Sequence, residues 1–402
     1  MPIRPQSLAF TILLGALAAL PPLSIDMGLP AFPALQRELA TSAAGAGLTL
    51  SVFMAGFSVA QLLLGPLSDR YGRRPVLLAG LSFYAAAGGL CAASPSIAAL
   101  IGFRLIQGAC AASGTVMAFA IARDLFEGAA ARQRFSYVSM VLSVAPVIAP
   151  TLGGWTLLLG GWRAIYAVLG LAGLALLLAV FAGLKETRRP PPRMAPGVLG
   201  GFARMLGHRH AIGYALTNAM GFGALFAYIS GSPLVLMGVL GVSAQAFGLL
   251  FAMISGGIMV GAWVNSLLAG DAAASRAALP LALGVGLLSS VALLIVTSTG
   301  LGSLRTLLPL LLLHSFSRGV ASPNATQGAL EPMGEIAGLA SAMVGFLQMA
   351  TAAVSSALVA LLFPALGPTA MTLVMSGFAA AALLAWRMAQ RPLVGARLGE
   401  AD

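Results

Sequence analysis

The sequence predicts an all-α membrane protein: twelve transmembrane helices in two pseudo-symmetric bundles of six. Three observations lead there. Hydrophobic side chains make up 59% of the 402 residues and charged ones only 8%, against about 25% charged in soluble domains. Twelve apolar runs reach the length of about 20 residues that crosses a hydrocarbon core. One long polar break, residues 185–210, divides those runs six and six. With a mean hydropathy of +0.96, the composition excludes a soluble enzyme, a secreted domain and a disordered regulator.

In chain order the runs fall near 7–31, 45–66, 76–94, 97–121, 135–157 and 162–184. The second set falls near 211–231, 244–267, 278–297, 304–323, 337–362 and 367–389. They are too long and too evenly apolar for barrel strands, and only helices otherwise satisfy the backbone inside lipid. The first run starts like a signal peptide after Met1-Pro-Ile-Arg4-Pro. It continues into Ser24, Ile25 and Asp26 without a small-residue cleavage site, so it reads as the first span. The central break holds Lys185, Arg188 and Arg189 and then three prolines, 190–192. The expected organisation is a bundle over 1–184, a cytoplasmic linker over 185–210, and a second bundle with a short tail over 211–402. Asp69 and Arg74 after span 2 are echoed at the same spacing by Asp271 and Arg276 after span 8. A duplicated six-helix unit of this kind typifies secondary transporters.

The formal charge of +11 suggests nucleic acid only if the chain is soluble. Placed on the spans, the basic residues instead set orientation. With the N-terminus inside, the cytoplasmic face collects Arg4, Arg70, Arg73, Arg74, Arg123, Arg132, Arg134, Lys185, Arg188, Arg189, Arg193, Arg204, Arg209, Arg276, Arg387, Arg391 and Arg397. The outer face receives Arg37, Arg163 and Arg305, while Arg104 and Arg318 stay within spans. Both termini are therefore expected in the cytoplasm, with the bilayer as partner and no role for nucleic acid.

Several motifs stand out. After span 2 comes Gly65-Pro-Leu-Ser-Asp69-Arg70-Tyr-Gly72-Arg73-Arg74-Pro75, with glycines suited to a turn and close helix approach. Span 4 carries Arg104-Leu-Ile-Gln107-Gly108. Span 5 carries Ala145-Pro146-Val-Ile-Ala149-Pro150-Thr-Leu-Gly153-Gly154. These resemble motifs A, B and C of the major facilitator superfamily, although motif C has alanines where two glycines are usual. Ser24-Ile-Asp26-Met-Gly-Leu29-Pro30 and Leu225-Phe226-Ala-Tyr228-Ile-Ser230-Gly231-Ser232-Pro233 narrow the likeness further. With Pro323-Asn324-Ala325 and Gly345-Phe346-Leu347-Gln348, they resemble the bicyclomycin-resistance branch of drug:proton antiporters. That resemblance implies the major facilitator fold, the bacterial inner membrane and export of drugs, phenicols and bicyclomycin among them.

The residues also speak without the family. Asp26 is the one carboxylate that the sequence places inside a span; the other acids fall in loops, at span ends or in the tail. A charge at the centre of a span costs about 2.5–3.5 kcal/mol on insertion scales, so it marks function. Arg104 sits at matching depth and is its expected partner in proton coupling. A drug site between the bundles near the midplane draws its candidates from five spans. They are Phe53, Met54 and Phe57, then Tyr137 and Met140, then Asn218, Phe222, Phe226 and Tyr228, and finally Gln348, with Asp26 itself. Methionines and aromatics suit a permissive apolar site, and the scarcity of acids favours neutral or monocationic lipophilic substrates. His314 and Arg318, one turn apart in span 10, either line the cavity or extend toward the cytoplasmic face. Cys91 and Cys110 and the three histidines have no disulfide or metal-ligand spacing, so no metal or cofactor is expected, and a monomer suffices. Two other readings stay open: a metabolite exporter or facilitator on the same fold, and a membrane-embedded transferase, for which no convergent acid–base cluster is present.

Overall fold

The computed structural model describes residues 3–188, 198–268 and 270–390. Arg189, Arg193, Arg391, Arg397 and the prolines at 190–192, assigned by sequence to the cytoplasmic side, lie outside those residues. Among the described residues the fold is helical, with no strand.

Helix α1 runs from Leu8 to Asp26 and is followed by a tight turn at Leu29–Ala31, then α2 (Phe32–Glu38). The long helices α3 (Ala43–Tyr71), α4 (Arg73–Ala92) and α5 (Ile97–Leu125) come next, then α6 (Gly128–Gly183). A short α7 (Val198–Gly207) leads into α8 (Arg209–Ser232), which ends in a widened helical turn at Pro233–Val239. The remainder is α9 (Ala244–Leu268), α10 (Ala272–Ser298), α11 (Leu304–Leu330), α12 (Ala337–Leu366) and α13 (Pro368–Gln390). Polar residues just ahead of the apolar runs start many of them. Ser7, Ser42, Ser96, Asp271 and Ser303 each accept a backbone N–H of the first turn, satisfying donors that no helix can satisfy internally.

Ten segments are long and apolar enough to cross a membrane. Two of them are far longer than one crossing requires: Gly128–Gly183 with 56 residues and Leu304–Leu366 with 63. The first is broken at Gly160 and Gly161, the latter at φ 69°. The second contains a tighter turn, Glu331–Ile336, between α11 and α12.

The helices differ from the expected spans at both ends, α6 and α10 beginning at Gly128 and Ala272, before the expected 135 and 278. Helices α3 and α11 continue to Tyr71 and Leu330, past the expected 66 and 323, because helical hydrogen bonding persists after the apolar run has finished. The first span also differs. Its helix bends at Gly28 and Leu29, where Pro30 supplies no N–H, and resumes as α2 to Glu38. Asp26 therefore lies roughly 18 Å of helix path from that end, deeper than the expected end at residue 31 implies.

Packing divides the helices into two sets. In the first, α3 and α4 pack on α5, α4 on α6, and α1 on both α5 and α6. In the second, α9 and α10 pack on α11, α10 on α13, and α8 on α11, α12 and α13. The sets meet along two main seams, α3 with α12 and α6 with α9. Small residues make the closest approaches. A Cβ on Gly108 would run into the Phe53 carbonyl, and one on Gly56 into the Leu105 carbonyl. The same reciprocal pair recurs in the second set, with Gly261 against Phe316 and Gly319 against Ile258. Helices without a hydrophobic drive to associate in lipid depend on such backbone proximity.

Gly108→Val is expected to lose about 1–3 kcal/mol or more, because backbone rather than a flexible side chain blocks the added atoms. Thermal melting of the purified protein checks this, with Gly102→Ala, which meets nothing within 4 Å, expected to melt like the parent.

Candidate functional site

The site is built around the end of α1. Arg104 on α5 reaches across and donates from Nη2 to the Ser24 carbonyl at 3.0 Å, from Nε to the Thr49 carbonyl at 3.4 Å, and from Nη1 to Gln107 Oε1 at 2.8 Å. Ser24 lies in the last turn of α1, where carbonyls lack intrahelical donors. Its hydroxyl bonds Leu20 O at 2.7 Å and Tyr84 Oη at 2.5 Å. The guanidinium also lies 4.3 Å from the Phe53 ring centroid and 5.4 Å from that of Tyr166. Its donors thus go to neutral oxygens and its faces to aromatic rings.

Asp26 is two residues beyond that anchor and only 2% exposed. No ion pair joins it to Arg104 among the described residues. The reason is the register of α1: the guanidinium is aligned with the Ser24 carbonyl and is occupied there. Asp26 Oδ1 has no hydrogen-bond partner, nor does the Tyr228 hydroxyl of α8. These two groups lie close enough for the carboxylate to act electrostatically on the phenol. A buried carboxylate with an unpartnered oxygen can take up and release a proton.

The other aromatic and methionine candidates are scattered. Phe53, Met54 and Phe57 are buried on α3, with the Phe53 backbone against Gly108 of α5. Tyr137 and Met140 on α6 are 38% and 57% exposed, with Tyr137 Oη accepting from Gln133 at 3.3 Å. Phe222 and Phe226 stack at 4.8 Å between centroids, and Tyr228 stacks on Phe251 at 5.7 Å. Asn218 is drawn away into α11. Its amide donates to Thr326 at 2.8 Å and its Oδ1 accepts from Arg318 at 2.7 Å. Gln348 is half-buried on α12, one turn beyond Gly345, where an added Cβ would meet Gln61 of α3.

The Gly65–Pro75 stretch forms a charged lock at the far end of the first set. Gly72 makes the turn at φ 103°. Arg73, buried at the start of α4, pairs with Asp69 at 2.6 Å and Asp124 at 2.8 Å and donates to Ser68 at 2.6 Å. Gly65 makes no close approach, since a Cβ there meets nothing within 4 Å. Arg70 lies 5.3 Å from the Tyr71 ring centroid, and its carbonyl accepts from Arg188. Glu186, in the linker, completes the lock. Partial burial opposes its charge, but N–H groups of Arg188, Arg73, Arg74 and Thr187 outweigh that and hold its carboxyl below the usual range.

In the proline-containing stretch of α6, Pro146 and Pro150 lie inside the helix. A Cβ on Gly153 would run into the Met27 carbonyl, next to Asp26, and one on Gly154 would meet Ala244 O of α9 at 3.0 Å. This face therefore seats the end of α1 and joins the two helix sets. Gln107, Tyr84 and Tyr166 were not among the expected site residues. Gln107 was readable as the i+3 neighbour of Arg104; the tyrosines gave no pattern signal. No group of three or more metal-ligating side chains occurs among the described residues.

Comparison with known proteins agrees with this architecture. The family model of the Major Facilitator Superfamily matches residues 14–356, and the chain belongs to that superfamily of membrane carriers. It is 35% identical to the uncharacterized MFS-type transporter YdgK of Bacillus subtilis (strain 168), over 89% of this chain and 90% of that one. It is 30% identical to a bicyclomycin resistance protein homolog of Haemophilus influenzae, over 87% and 88%. Against multidrug resistance protein D of Escherichia coli (strain K12) it is 29% identical, over 95% and 96%. A bacterial homolog of the lysosomal transporter Spinster, solved in an inward-facing and occupied conformation, superposes with a TM-score of 0.74 at 14% identity, covering 96% of this chain and 97% of that one. At that identity the likeness concerns the fold alone.

Glu186 gives a pH test of the lock. Its folded value lies below the ordinary 4.5; its stabilising contribution is therefore fully present above that value and lost as pH falls through the folded one. Thermal melting of Glu186→Gln is expected to fall below wild type at neutral pH, with the difference closing in the acid range below 4.5.

Proposed function

We propose that this protein is a secondary active exporter that exchanges lipophilic compounds, neutral or monocationic, for protons by alternating access. The observation that carries this reading is Asp26: a buried carboxylate with an unpartnered oxygen, set where the two helix sets meet in a carrier of this superfamily. Similarity to proteins named for bicyclomycin and multidrug resistance supports the drug class.

In this reading the two overlong segments are each two crossings, giving twelve in all. Residues 1–184 and 211–402 form the two bundles, 185–210 the cytoplasmic linker, and both termini lie in the cytoplasm. The packing supports the repeat: α3–α5, α4–α5 and α4–α6 correspond in chain order to α9–α11, α10–α11 and α10–α13. Under that correspondence the α3–α12 and α9–α6 seams exchange, as a two-fold axis between bundles requires. One chain suffices, and the site faces the bacterial inner membrane's two aqueous sides in turn.

Asp26 takes a proton from the outside and releases it inside, where its charge then favours drug binding. Arg104 acts as a positioning residue by holding the last turn of α1, and Gly153 seats Met27. Asp69, Arg73 and Asp124 act as the cytoplasmic lock. Tyr228, Phe222, Phe226, Phe53, Met54, Phe57, Tyr137, Met140, Asn218 and Gln348 make up the candidate lining. Each pH unit supplies about 1.4 kcal/mol per proton, and 100 mV adds about 2.3 kcal/mol when one net charge moves. A neutral drug exchanged for one proton uses both.

Proton release on addition of a phenicol or a lipophilic cation to the purified protein tests the assignment. Wild type is expected to release protons, and Asp26→Asn to release none and to accumulate no drug in energised inverted vesicles. Undiminished coupled transport by the variant removes Asp26 from this role.

A further inference from the structure

A second buried polar site lies wholly within the later helix set, apart from Asp26. It is a cavity of about 30 Å³ between α8, α10, α11 and α13, with Arg318 and His314 in its wall. Space of this size holds a water or two, or a single small ion; drug-sized sites run to about 300–1,000 Å³.

Three features of its wall point to an anion. Arg318 is 7% exposed and pairs with no carboxylate among the described residues. Its resolved hydrogen bond goes to the neutral Asn218 Oδ1 at 2.7 Å, although a guanidinium carries five N–H donors. His314 lies one turn earlier on the same helix face and is 4% exposed. Its Nδ1 is 3.2 Å from both the Gly286 carbonyl and the Ser290 hydroxyl, whereas Nε2 has no partner. With Nδ1–H donating to Gly286, Nε2 is free either to accept from water or, once protonated, to donate to an anion. The remaining wall is small and apolar, apart from the Thr217 and Ser317 hydroxyls. Those hydroxyls bond to helix carbonyls of their own chain turns at 2.8 and 2.7 Å, and each can rotate toward an ion.

A buried cation in a membrane protein is ordinarily paired. Here the only charge-bearing neighbour in the cavity wall is another potential cation. We propose that the cavity binds one small monovalent anion, of the size of chloride or formate, held by Arg318 with His314 at its side. The site would neutralise Arg318 within the bundle, next to Asn218 and Phe222 of the candidate lining, which Arg318 touches.

The test is melting of the detergent-purified protein in sodium chloride, bromide, formate or gluconate at constant ionic strength. Saturable stabilisation by a halide or by formate over gluconate is expected, and the arm that gives it names the anion class. Arg318→Gln, which retains an amide to bond Asn218, is expected to weaken apparent binding about tenfold or more, the loss of a charge-assisted hydrogen bond. His314→Phe is expected to weaken it less, and Arg305→Gln, an exposed cation, to leave it unchanged. Identical melting of wild type in all four salts, or halide stabilisation undiminished in Arg318→Gln, overturns the proposal. Should Arg318→Gln fail to fold, crystals of wild type grown in bromide decide: an anomalous peak beside Arg318 supports the site, and water alone overturns it.

Discussion

A single guanidinium holds the core of the first helix set together. Arg104 reaches from α5 to the carbonyls of Ser24 on α1 and Thr49 on α3 and to the side chain of its own neighbour Gln107. In lipid every polar backbone group needs an internal partner, and the last turn of a helix cannot supply its own. Pro30 breaks the helix beyond Asp26, and Arg104 anchors the turn just before the break. The position of Asp26 follows from both. Removing Arg104 would therefore disturb the acid without ever having touched it.

The second constraint is how closely helices approach. Gly56 with Gly108, and Gly261 with Gly319, bring backbone against backbone at equivalent places in the two sets. Gly153 does the same beneath Met27. These contacts replace the hydrophobic drive that soluble helix packing enjoys.

Charge is treated differently at the two levels of the molecule. At the charged turn around Gly72, Arg73 is paired twice over with Asp69 and Asp124, and Glu186 gathers four backbone donors. Farther in, Asp26 and Arg318 lack opposite charges among the described residues. The contrast is physically sensible. Neutralised pairs hold a contact in place, whereas the proposed roles of Asp26 and Arg318 each need a free valence.

The sequence by itself determined the helical class, the apolar segments, the charged turn at Gly72 and the singular status of Asp26, because composition, periodicity and motif spacing are local properties. It also marked Arg104, but not what Arg104 bonds. Matching depth made Asp26 the obvious partner, and only the rotation of α1 about its own axis turned the Ser24 carbonyl toward the guanidinium instead. Which aromatics pack on Arg104, that Asn218 is held by α11, and that a cavity opens beside His314 were likewise decided by tertiary structure. Each depends on which face one helix shows another. That angle is set by contacts between residues far apart in the chain, and no stretch of the sequence carries it alone.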